Sequence, residues 1–188
     1  MYKLGKIINI FILMFMILFG FYWALNKGFN LPFFAILALF FLILFLDWII
    51  DKMKLNSNYK PLVAIAILLD LLSYFYISEI WGYFWYILHF VNAALITFMI
   101  YDYYKKNFTG KKIYLFLFVF LSVMGVLVLW EVYEYTADTL LHVKLQGLYS
   151  ATGKLYRYPI DDTMWDLIIG GIGSLLSLLI KKIISNKK

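Results

Sequence analysis

The chain has 188 residues, of which 64% are hydrophobic and 15% charged, and its mean hydropathy is +0.84. That composition excludes a water-soluble domain and leaves the bilayer as the solvent. The absence of cysteine excludes disulfides and thiolate metal centres. The net charge of +6 comes from Lys residues that flank apolar runs, the pattern of helix ends at an anionic leaflet and not of a nucleic-acid surface.

Six predominantly apolar runs follow in chain order: Ile7 to Leu25, Leu31 to Ile50, Pro61 to Tyr76, Tyr83 to Tyr103, Ile113 to Tyr135, and Met164 to Ile184. The first follows Lys3 and Lys6 as a signal peptide would, but it is long, aromatic-rich and lacks a small-residue cleavage pattern, so it is read as a helix. Short polar connections such as Asp51-Lys52-Met53-Lys54 and Lys105-Lys106-Asn107 make neighbouring helices antiparallel. Placing the basic residues on alternate sides puts thirteen on one side and only Lys27, Lys144, Lys154 and Arg157 on the other. The positive-inside rule then predicts an all-α integral membrane fold, a bundle of about six transmembrane helices with both termini cytoplasmic. Residues 1–188 are expected to form a single multi-pass domain of the cell membrane. The one long connection, residues 136–163, is external; alternation of Val143, Leu145 and Leu155 with Lys144, Gln146, Lys154 and Arg157 around Ser150-Ala151-Thr152-Gly153 suits a short hairpin.

The carboxylates divide unevenly on this topology. Asp47, Asp51 and Asp102 lie near the cytoplasmic side, whereas Asp70, Glu79, Glu131, Glu134, Asp138, Asp161, Asp162 and Asp166 fall in the outer half or beyond it. On the fifth helix Glu131, Glu134 and Asp138 share a face, and Glu131 stands roughly 27 Å above Ile113, at the rim of the hydrocarbon. Asp162 and Asp166 are one turn apart at the start of the sixth helix, where the helix dipole favours carboxylates. Asp161 or Asp162 also suits an N-cap, which would be a purely structural role. On the fourth helix His89 is about 9 Å below the outer end, with Asn92 one turn deeper. A lone membrane His is often only hydrogen-bonded to a neighbour, but this one matches the depth of the acids. Asp70, set among four leucines, must face the interior and be paired or protonated.

So many carboxylates in a low-dielectric rim need a positive partner. The choices are a divalent ion, Arg157, or a cationic substrate. Carboxylate ligation favours Mg, Ca or Mn, and His89 brings Zn or Fe into range. The candidate metal ligands are therefore His89, Glu131, Glu134, Asp138, Asp162 and Asp166; the candidate catalytic groups are His89, Glu131 and Glu134; and Asp70, Asn92 and Asp161 are further polar positions. Gly170-Gly171-Ile172-Gly173 with Ser174 gives the sixth helix a face for close packing, and Gly125 could serve its partner.

Trp130-Glu131-Val132-Tyr133-Glu134, the external loop, and Asp161-Asp162-Thr163-Met164-Trp165-Asp166-Leu167 through Gly173 resemble the VanZ-like group of small integral membrane proteins, as does His89-Phe90. The group's usual Asn falls here on Gly170, and its D-K before the His on Trp85-Tyr86. The resemblance implies that His89, Glu131, Glu134, Asp162 and Asp166 cluster, and it names no reaction.

Three functions fit these features. One is divalent-cation-dependent binding or processing of a lipid-linked or phosphate-bearing substrate, although H-E-x-x-H and G-x-S-x-G are missing. The second is a proton- or cation-coupled small transporter, for which the cytoplasmic half offers few polar groups. The third is a structural subunit of a membrane complex. The expected partners are the bilayer and a lipid or lipid-linked substrate, without nucleic acid, and the oligomeric state is open.

Overall fold

The computed structural model describes residues 2–28, 31–73, 83–141, 148–149 and 155–186. Among the described residues the helices are α1 (Tyr2–Lys27), α2 (Leu31–Lys52), α3 (Tyr59–Leu72), α4 (Phe84–Lys105), α5 (Lys112–Leu141) and α6 (Pro159–Asn186). Residues 74–76 of the third apolar run lie outside the described residues, as do Glu79 and the turn at 150–153. Among the described residues four stretches are long and apolar enough to cross a membrane: Ile7–Lys27, Phe84–Lys105, Lys112–Leu140 and Pro159–Ile184. Many large apolar side chains are exposed, Phe11 by 72% and Leu129 by 69%, while the polar Thr97 and Ser174 are 0% exposed within a mainly apolar core. Apolar side chains face outward where lipid covers them, and polar ones are gathered inside, as a helical membrane protein requires.

Several helix ends depart from the sequence reading, and two of them flank the long connection. Helix α5 runs past Tyr135 to Leu141, and the hydroxyls of Thr136 and Thr139 donate back to the carbonyls of Val132 and Tyr135 at 2.7 and 2.8 Å. Helix α6 begins at Pro159, whose fixed φ suits a first helical position. Asp161 and Asp162 consequently sit within the first turn, where the dipole favours them, and neither is the N-cap. Between these helices β1 (Leu148–Tyr149) pairs antiparallel with β2 (Leu155–Arg157).

The chain packs as two compact units, residues 1–75 and 76–188. In the first unit, α1 buries Asn9, Ile12, Met16 and Gly20 on one stripe. Gly20 lies against Ile36 of α2, and Asn9 meets Asp47 farther along α2, so the two helices are antiparallel. Gly5 lies against Pro61 at the start of α3, making α1 and α3 parallel. The turn from α2 to α3 reverses at Lys54, whose φ of 51° is left-handed; Lys54 and Leu55 donate to the carbonyls of Asp51 and Ile50, which caps the helix C-terminus. Asp70 is half-buried on α3.

In the second unit the packing follows three stripes with a spacing of four residues. Helix α5 buries Leu115, Val119, Val123 and Leu127; α4 buries Ala93, Thr97 and Tyr101; and α6 buries Gly170, Ser174 and Leu178. A residue every four positions stays on one helix face, which lets three helices share a narrow seam. Glycines set how close the helices come. A Cβ on Gly173 would lie 2.5 Å from the Phe90 carbonyl oxygen of α4, and one on Gly170 would lie 2.6 Å from Leu127 of α5. The sequence reading also offered Gly125 for close packing, but a Cβ there meets nothing within 4 Å among the described residues.

Helices α4 and α6 run parallel. Thr97 Oγ1 and Ser174 Oγ are hydrogen-bonded at 2.9 Å, both fully buried, and toward the far end Lys181 Nζ donates to Asp102 Oδ1 at 2.6 Å. Thr97→Val keeps the shape of the side chain and removes the interhelical bond. We expect it to lower the unfolding free energy by about 0.6 to 1.7 kcal/mol, measured by reversible denaturation of the full chain in detergent.

Candidate functional site

Each of the three stripes continues, one turn beyond its last apolar or small residue, into an ionisable one. Leu127 on α5 is followed four residues on by Glu131; Gly170 on α6 is preceded by Asp166; Ala93 on α4 is preceded by His89. The contacts that hold the helices together just below, Gly170 against Leu127 and Gly173 against Phe90, therefore also bring these three side chains together. The spacing matches along α4 and α6, because His89 and Thr97 are eight residues apart and so are their partners Asp166 and Ser174.

His89 Nε2 is 3.3 Å from Asp166 Oδ2. One ligand atom each from His89, Glu131 and Asp166 lies within 4.8 Å of the others. Glu131 is 6% exposed and Asp166 4%, and Glu131 Oε2 and Asp166 Oδ1 are fully buried oxygens. Around a divalent ion with bonds of roughly 2.0 to 2.6 Å, two ligand atoms can be at most about 4 to 5 Å apart, so the three atoms fit one ion. Two buried carboxylates and one imidazole carry up to two negative charges, which such an ion would neutralise. Without it, the carboxylates must take up protons or repel each other.

The other sequence-predicted positions surround this trio less closely. Glu134, one turn along α5 from Trp130, is half-buried and accepts a hydrogen bond from the Trp130 indole at 2.8 Å. Glu131, Asp166 and Asp162 are near enough to act electrostatically on Glu134. Asp138 and Asp162 are half-buried and Asp161 is exposed, and none of them joins the group of three. Asn92 is half-buried on α4, one turn below His89. Asp70 belongs to the first unit. The side chain of Arg157, offered as a counter-ion, lies outside the described residues. Beside the trio, Tyr83, Tyr86, Trp165 and Ile169 line a shallow open hollow, with the rings of Tyr86 and Trp165 6.4 Å apart.

The family described as "Predicted membrane protein (DUF2238)" matches residues 5–187. The chain belongs to this family. The match spans both units and all six described helices, so its membership covers the site as well as the surrounding membrane fold. Neither the curated proteins nor the solved structures contain a match to the chain.

Several polar contacts had no counterpart in the sequence reading, two of them within the helix seams. The Thr97 to Ser174 bond was signalled only by both residues' four-residue spacing from small neighbours, Ala93 and Gly170. The Asn9 to Asp47 bond was signalled by an amide amid Ile7, Ile8 and Ile10, but its partner depends on which helix packs there.

Proposed function

We propose that His89, Glu131 and Asp166 bind a divalent cation and that the ion serves to bind or process a lipid-linked or otherwise phosphate-bearing substrate at the outer rim of the cell membrane. The approach of one imidazole nitrogen and two carboxylate oxygens to within 4.8 Å carries this reading. Three protein ligands leave coordination positions for water or a phosphate oxygen. The carboxylate majority suits Mg, Ca or Mn, and the imidazole admits Zn. A bound ion supplies Lewis acidity toward a phosphate. Glu134, oriented by Trp130, is the spare carboxylate suited to act as general base, and Asp138, Asp161 and Asp162 extend the negative charge along both helices. The VanZ-like motifs around His89, Glu131 and Asp166 support the same grouping.

Elemental analysis of the full-length protein, purified in detergent and equilibrated with each ion, is the test. About one ion per chain supports the reading; a chain that retains none and whose melting temperature ignores Mg, Ca, Mn and Zn overturns it.

One observation favours a proton- or cation-coupled transporter instead. Polar pairs continue from His89 and Asp166 through Thr97 and Ser174 to Asp102 and Lys181 along the α4/α6 seam. The seam is closed between them, since Gly173 approaches the Phe90 carbonyl too closely to admit even a methyl group. That close approach interrupts the seam between the first two pairs, and the cation-binding reading is preferred.

We further infer six membrane spans with both termini in the cytoplasm. The thirteen-to-four distribution of basic residues supports this, and so do helix directions that alternate along the chain within each unit. Reporters fused at either terminus should be active only in their cytoplasmic form; an extracytoplasmic C-terminus would reverse the topology.

A further inference from the structure

The first unit contains a polar pair of its own. Asn9 of α1 is 7% exposed and lies on the buried stripe with Ile12 and Met16. Its Nδ2 donates to Asp47 Oδ2 of α2 at 2.5 Å. The remaining oxygens of both side chains, Asn9 Oδ1 and Asp47 Oδ1, are also buried, and neither has a hydrogen-bond partner among the described residues. Two acceptors are thus enclosed beside each other's side chains without a donor among the described residues, and a buried acceptor left in that state costs about 1 to 3 kcal/mol.

Among the described residues the charged neighbours of Asp47 are Lys60 on α3 and Asp51 on its own helix. Lys60 directs its ammonium to Asp51, with Nζ 2.6 Å from Oδ2, so its hydrogen bond goes elsewhere. The second unit gathers three ligand atoms from three side chains, and a hard cation such as Ca or Mg takes about six or more oxygen ligands, water included. Here the two side chains leave only Asn9 Oδ1 and Asp47 Oδ1 unengaged among the described residues. A single proton needs only one donor atom and one acceptor.

We propose that Asn9 and Asp47 form a proton-binding site in the first unit. The neutral Asp47 carboxyl group donates from Oδ1 to Asn9 Oδ1 while its Oδ2 accepts from Asn9 Nδ2, closing an acid–amide pair across α1 and α2. This site is separate from the cation site of the second unit and does not rest on it.

Infrared spectroscopy and thermal unfolding of the full-length protein in lipid at neutral pH test the assignment. With the second-unit site saturated by a divalent ion, the wild-type spectrum should contain a C=O band of a protonated carboxyl group that is lost in D47N. An asparagine at position 47 reproduces the donor and acceptor of the neutral acid, so the melting temperature of D47N should stay with that of the wild type. Asp47→Leu, which strands both polar atoms of Asn9, should lower it by several degrees. Replacing Na with K or choline should change neither measurement. A D47N spectrum that keeps the band, a wild type without one, or a melting temperature that depends on Na would each overturn the proposal. In the last two cases the enclosed oxygens hold a water or a cation instead.

Discussion

Replacing Glu131 with Gln and Asp166 with Asn together should abolish the response of the chain to divalent ions. A ligand that binds only the folded state stabilises it by about 2.7 kcal/mol when present at a hundred times its dissociation constant. The wild type should show a gain of that order on titration with the preferred ion, read as a rise in melting temperature, and the double variant should show none. The ion-free comparison runs in the opposite sense. Two buried carboxylates within 4.8 Å of a common partner repel when both are charged, and the neutral amides relieve that repulsion. The ion-free double variant should therefore be at least as stable as the ion-free wild type, which separates loss of a ligand set from simple misfolding. Asp51→Asn, in the first unit, should leave the response intact. A double variant that still gains the full stabilisation would place the ion, or the effect, elsewhere.

Much of this arrangement can be read from the sequence, and what cannot has a definable cause. Apolar length and the basic residues give each helix its height in the bilayer, and that was enough to set His89, Glu131 and Asp166 at a similar depth. The side of the helix that each presents was harder to read. Glu131, Glu134 and Asp138 share a broad face by spacing, yet only Glu131 stands four residues beyond Leu127 on the stripe that packs against Gly170. Continuing the apolar stripe, and not merely grouping the acids, singles it out. Helix choice was not readable at all. The small residues of α6 announced close packing, but nothing local says that Gly173 meets a backbone carbonyl of α4 while Gly170 meets a leucine of α5, or that Gly125 meets neither. The same limit hid Asn9, because an amide in an apolar run declares a partner without naming it.

Gly173→Ala should be the most damaging single-atom addition in the second unit. Its Cβ would lie 2.5 Å from the Phe90 carbonyl oxygen and 3.2 Å from that residue's carbonyl carbon and Cα. These are backbone atoms in mid-helix and cannot rotate away, so α4 and α6 must separate. Overpacking of this kind costs about 1 to 3 kcal/mol. Gly170→Ala meets Leu127 Cδ1 at 2.6 Å, the end of a flexible side chain, and should cost less. Gly125→Ala meets no described atom within 4 Å and should be neutral or favourable, since alanine exceeds glycine in helix propensity by about 1 kcal/mol. Denaturation midpoints of the three variants in one detergent give the ranking. The Gly173 variant should carry a second defect that the others lack: moving α4 from α6 draws His89 away from Asp166, now 3.3 Å apart, and weakens ion binding in proportion to the imidazole's share. If Gly173→Ala proves as stable as Gly125→Ala and binds ions as the wild type does, the helices are not in contact along this seam, and the three-residue site has lost the packing that assembles it.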